Sequence, residues 1–146
     1  MEMLKLVALD DEDLRIISAH LQDAVLKVGD LDYLRQEKRF IAVTNRFVWE
    51  RAASGVFGKR TFERRRTVLH FDRVISVKAN GIDHGRKDDV LSLLAVRFIA
   101  GDAPAGIVEF TFSGGSAIRL TAECIEARLT DLGPAWEARA KPEHDA

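Results

Sequence analysis

The 146-residue chain is poor in the residues that staple small proteins together. Its single cysteine, Cys124, excludes an internal disulfide and any metal cage built from several thiolates. It has three prolines, one tyrosine and two tryptophans. No stretch approaches the ~20 apolar residues that a membrane-crossing helix needs. Neither sign of charge is in excess: 22 Lys+Arg stand against 23 Asp+Glu, a net charge of -1. That balance, with 47% apolar residues, excludes a natively disordered chain. No basic stretch leads into an apolar run near Met1, so no secretory signal is expected and a cytoplasmic location is the default. What is present suits one domain over residues 1–146, large enough to bury roughly 68–70% of its unfolded surface without staples.

The order of elements is read from the period of the apolar residues. After a short lead over residues 1–9, Asp10-Asp11-Glu12-Asp13 offers carboxylates to the unpaired N–H groups and positive dipole end of a helix. Leu14, Ile17 and Leu21 follow at steps of three and four, which predicts a helix over 11–22. A strand to Leu34 and a turn at Arg35-Gln36-Glu37-Lys38 come next. The period then falls to two. Ile41, Val43 and Phe47 share one face of a strand whose other face carries Thr44, Arg46 and Val48. Thr67, Leu69 and Phe71 alternate with Arg66, Val68 and His70. Ile75 and Val77 mark a strand after Asp72-Arg73, and Leu94, Val96 and Phe98 form a further inward set. Val108, Phe110 and Phe112 precede Ser113-Gly114-Gly115-Ser116, a hairpin signal, after which Ile118 and Leu120 alternate with Arg119 and Thr121. Alternation of this kind belongs to antiparallel strands packed on one face. Ile125, Leu129 and Leu132 recur at four and three and predict a closing helix, stopped by Gly133-Pro134, with Trp136 just beyond and a frayed tail over 139–146. The expectation is an α+β fold, mainly antiparallel, with about seven strands and a helix at each end.

That strand order is similar to the pleckstrin-homology-like barrel over residues 24–138, with LHFDRVISVKANGI resembling the third-to-fourth strand corner of its bacterial members. An α+β sandwich with both helices on one face of the sheet fits the same pattern. Over its whole length the chain also resembles a family of small bacterial proteins known only as a domain of unknown function. The segments that carry this likeness are LKLVALDDEDL, SAHLQDAVLKVGDL, NRFVWE, LHFDRV, DDVLSLLAVRF and CIEARLTDLG. The resemblance implies a discrete cytoplasmic domain and no particular activity.

Catalytic spacing is not found. His20, His70, His84 and His144 lack a second ligand at helical metal-binding spacing. Asp83, His84, Asp88 and Asp89 crowd the loop GIDHGRKDD, a composition typical of solvated turns. Cys124 reads as a small packed hydrophobe, because Glu123 and Glu126 oppose any helix-dipole activation of its thiol. No glycine-rich loop has the order that cradles phosphate, and no cofactor is expected.

Charge distribution is the feature that rises above background. Residues 35–73 hold 11 Lys+Arg against four acids, leaving the rest of the chain net negative. The candidate binding residues in this basic band are Arg35, Lys38, Arg39, Trp49, Lys59, Arg60, Arg64, Arg65, Arg66 and Arg73, with Phe57 and Phe62 interleaved. Three uses are open: a solvated or edge-protecting face, contact with an acidic protein partner or a second copy, and binding of nucleic acid or anionic lipid. The functional expectation is a non-enzymatic binding or adaptor module contacting a protein through this band. A small-molecule enzyme is the alternative from another class.

Overall fold

The computed structural model describes residues 3–49 and 62–133, and the side chains of 49, 62 and 63 are outside that description. The elements run β1 (Lys5–Ala8), α1 (Asp11–Leu21), β2 (Val25–Lys27), β3 (Leu31–Leu34), β4 (Arg39–Trp49) and β5 (Phe62–Phe71). They continue as β6 (Val74–Asn80), β7 (Val90–Ala100), β8 (Gly106–Phe112), β9 (Ala117–Ala122) and β10 (Ala127–Asp131). Every pairing is antiparallel, in the order β1-β10-β5-β4-β2-β7-β8-β9-β6, with β3 also on β4. The α+β expectation therefore holds in its coarse form, an antiparallel sheet with one helix.

Helix α1 begins where the acidic run placed it. The Asp10 side chain accepts from the Asp13 N–H at 2.8 Å, and Asp11, Glu12 and Asp13 face the dipole's positive end. The three residues of its apolar stripe, Leu14, Ile17 and Leu21, are fully buried. Each contributes roughly 1.5–3 kcal/mol of burial. They join a core closed by aromatic rings from both halves of the sheet, Phe40 and Phe71 meeting Phe110 edge-on at 5.6 and 5.7 Å. The sheet thus folds over so that β4 and β5 face β8 across the core.

Four expectations are corrected. The closing helix is strand β10, in which Ala127, Leu129 and Asp131 are buried at a period of two. No C-terminal helix stands among the described residues, and Trp136 with the tail lies outside them. The lead segment is not a mere lead, because Leu6 and Ala8 alternate with Lys5 and Val7 and the strand pairs with β10. The barrel is not closed: β1 and β6 each have one neighbour and are the sheet's edges.

The fourth correction concerns which residues point inward. In β4 the buried set is Phe40, Ala42, Thr44 and Arg46, while Ile41, Val43 and Phe47 lie on the outer side, partly covered. In β7 a bulge separates the Leu93–Phe112 pair from the Ala95–Thr111 pair. The extra residue, Leu94, is turned out and Leu93 takes its place in the core. A similar irregularity between Val74 and Ser76 buries Val74 and exposes Ile75. The hairpin at 113–116 forms as expected, with Gly114 and Gly115 at φ of 84° and 91°, where a Cβ would be strained.

Candidate functional site

The inner face of β4, β5 and β10 changes character along its length. It starts apolar, with Phe40, Phe71 and Ala127. It passes through Ala42, Leu69 and Leu129 to Thr44, Thr67 and Asp131, and ends at Arg46 and Arg65. Register forces this, since directly opposed residues share a face. Arg46 and Arg65 oppose one another, a like-charge pairing that is unfavourable without an anion nearby. Asp131 is that anion. Its carboxylate accepts from Arg46 Nε at 2.9 Å and Nη2 at 2.6 Å, from Thr67 Oγ1 at 2.7 Å and from the Leu4 N–H at 2.9 Å. Burial by itself would raise the Asp131 pKa, but these donors outweigh it and hold the carboxyl below its ordinary value. The Asp131 N–H donates in turn to the Leu4 carbonyl, so the same residue fastens β1 to the sheet.

Beside this pair a cleft of about 660 Å³ opens between the start of β1, the C-terminal end of α1 and the far end of β4. Met3, Leu4 and Lys5 line one side, Ala19, His20, Gln22 and Asp23 another, and Arg46, Phe47 and Val48 a third. Partial burial pushes the His20 pKa down, and Arg46 pushes it further, against the opposing pull of Asp131. His70 is lowered too, by burial first, with Arg39 and Arg128 adding to it and Asp72 opposing.

A pH dependence follows from these two imidazoles. Their folded pKa values lie below the ordinary 6.5, so in that interval the unfolded chain binds more protons than the folded one. Their stability contribution is complete above 6.5 and is lost as pH falls through the folded values. Tm is expected to rise between about pH 5 and pH 7. His20→Asn and His70→Asn should each flatten that rise, and an unchanged slope in both would remove the assignment.

The basic band is not one surface. At the β3–β4 and β5–β6 turns its members have carboxylate partners: Lys38 with Glu123 at 3.5 Å, Arg39 with Asp72 at 2.7 Å and Arg73 with Glu126 at 3.8 Å. Lys38 and Arg73 also occupy left-handed turn positions, φ 54° and 64°, and their carbonyls accept from Val74 and Glu123. Arg35 is exposed in the first of these turns. In β5 the three consecutive arginines separate by alternation. Arg65 is buried on the inner face, with Nη1 3.0 Å from the Met3 sulfur. Arg64 and Arg66 are on the outer face, Arg66 4.0 Å from Asp30 and Arg64 with its guanidinium 5.0 Å over the Phe47 ring. Trp49 ends β4 opposite Phe62, while Lys59 and Arg60 lie outside the described residues.

Two cations absent from the band join Arg64 and Arg66 on the outer face. Arg128 stands opposite His70, and Lys5 stands opposite Thr130. Among the described residues no carboxylate lies within 4.0 Å of Lys5, Arg64 or Arg128. No sequence signal links them, because β1, β5 and β10 become neighbours only through long-range pairing. His84 is exposed in its loop, where Asp83 caps the Gly85 N–H, and no metal-binding cluster forms among the described residues. Cys124 is half-buried just before β10. No described helix is long and apolar enough to cross a membrane.

Residues 4–144 match the model of the family described as Protein of unknown function (DUF2948), and the chain belongs to that family. No curated protein and no solved structure matches it.

Proposed function

We propose that this member of the DUF2948 family is a non-enzymatic binding module that receives an acidic protein segment on the outer face of β1, β10, β5 and β4. The observation that carries the reading is that Lys5, Arg64 and Arg128 all lie on that face, Arg64 and Arg128 about 20 Å apart by their six-residue offset along β5, as an extended segment would meet them, without carboxylate partners among the described residues. Val7, 55% exposed on the same face, and the Phe47 ring beneath Arg64 supply apolar contact between the charges. Lys38, Arg39 and Arg73 at the turns are already occupied by Glu123, Asp72 and Glu126, unlike the three cations of this face.

An acidic polypeptide suits three cations better than a nucleic acid does. Binding that neutralises about three phosphates gains little from counterion release, whereas 6–10 contacts are typical where the backbone dominates affinity. Catalysis has less support. His70 lies on the sheet face 4.0 Å from Asp72 and does not line the cleft, and the cleft's Arg46 has two of its nitrogens on Asp131.

The test is titration of a fluorescent oligoglutamate and a single-stranded oligonucleotide with the wild type and with Arg64→Gln/Arg128→Gln. Both arginines are exposed, so the fold should be retained. Oligoglutamate binding should weaken with salt and fall about three- to tenfold in the variant. Tighter binding of the oligonucleotide, or equal oligoglutamate binding by both proteins, would overturn the reading.

A further inference from the structure

We infer that the cleft at the charged end of the core is a binding site for a small organic carboxylate with an apolar body. Its volume, about 660 Å³, lies within the range of small-molecule sites, and its lining combines apolar walls with a few convergent polar groups. Lys5 and Arg46 supply cations from two sides, and His20 brings an imidazole from the helix. Met3, Leu4 and Val48 offer apolar surface beside them. Asp23 and the carbonyl end of α1 carry the opposite sign, so an anion is confined to the Lys5–Arg46 wall and its chain is turned toward the apolar lining.

The local field agrees with this polarity. Burial lowers the His20 pKa first, and Arg46 lowers it further against the opposing pull of Asp131, as a cation near the ring would. The pair also makes the site rigid. Arg46 is held by two bonds to a carboxylate that Thr67 and the Leu4 N–H hold in turn, which preorganises the guanidinium at little further entropic cost on binding. Lys5 borders both this cleft and the outer sheet face, but Arg46 and His20 take no part in that face, so the site does not depend on an acidic protein partner and His20→Gln tests it alone.

The experiment is an NMR titration of the intact chain with octanoate, octylammonium and inorganic phosphate up to about 10 mM, a range that saturates a Kd of ~1 mM. Octanoate should shift the Lys5 amide, the Arg46 Nε–H and the His20 ring saturably and should raise the His20 pKa. Octylammonium should leave them in place, and phosphate should bind at least about tenfold more weakly for want of apolar contact. Lys5→Gln and His20→Gln, both exposed and outside the Arg46–Asp131 pair, should each weaken octanoate several-fold with Tm retained at neutral pH. Saturation by octylammonium or phosphate as tight as by octanoate overturns the proposal. So does the absence of shifts with octanoate, or binding undiminished in both variants.

Discussion

Asp131→Ala is expected to lose about 3–5 kcal/mol of stability, the cost of leaving Arg46 buried without its anion. The Arg46 side chain is 7% exposed and that of Asp131 is not exposed at all, so water from the cleft reaches only an edge of the guanidinium and replaces the lost partner poorly. Thr67 Oγ1 and the Leu4 N–H lose their acceptor as well, and β1 loses one of the contacts that fasten it. In urea denaturation the midpoint should fall. The ion pair itself need not be the source of the stability. Arg46→Met/Asp131→Leu, which removes both charges, should recover most of the loss, because paired burial repays little beyond its desolvation. A double variant as unstable as Asp131→Ala would instead show that the pair is strongly net favourable. Acid provides a second measurement: the carboxylate's contribution is complete above its unfolded pKa near 3.8 and is lost as pH falls through the lower folded value.

Phe110→Ala should cost a further ~3–5 kcal/mol by a different mechanism, the cavity left in a close-packed core. Phe110 is 1% exposed and is the ring on which the two halves of the folded-over sheet meet. It contacts Phe40 and Phe71 edge-on and stacks on Phe112 at 6.5 Å. Phe110→Leu keeps most of the volume and should cost less, the difference including the aromatic contacts. Thermal unfolding should place the alanine variant about 10 °C below wild type. A loss under ~1 kcal/mol would mean that the two halves of the sheet are held together elsewhere.

The surroundings of these two residues show how far local pattern carries and where it stops. Phe110 was legible, since Val108, Phe110 and Phe112 alternate with polar neighbours and the strand they define is β8. Asp131 was not. Ile125, Leu129 and Leu132 fit a helix when only apolar residues are counted. The period-two set Ala127, Leu129 and Asp131 emerges only when an aspartate is admitted to the core. Its admission depends on Arg46, 85 positions away in sequence, and no local window contains both. For the same reason no local signal says which face of β4 turns inward; opposition to Thr67 and Arg65 puts Thr44 and Arg46 there. Bulges account for Leu94 and Ile75: one extra residue reverses the alternation on which the reading relied.

Sequence by itself determined the helix start at Asp10, its buried stripe of Leu14, Ile17 and Leu21, most of the long strands, the glycine hairpin and the antiparallel class. These rest on short-range rules of capping, period and turn geometry, which act within a few residues. Tertiary structure alone decided that the sheet stays open, that the last segment is a strand, and that the basic band divides between paired turns and an outer face completed by Lys5 and Arg128. It also placed the cleft, whose walls come from β1, α1 and β4. Those outcomes depend on which strands pair and in which register. That choice is governed by the free energy of burying the whole sheet, Asp131 and Arg46 together included, and not by the propensity of any one segment.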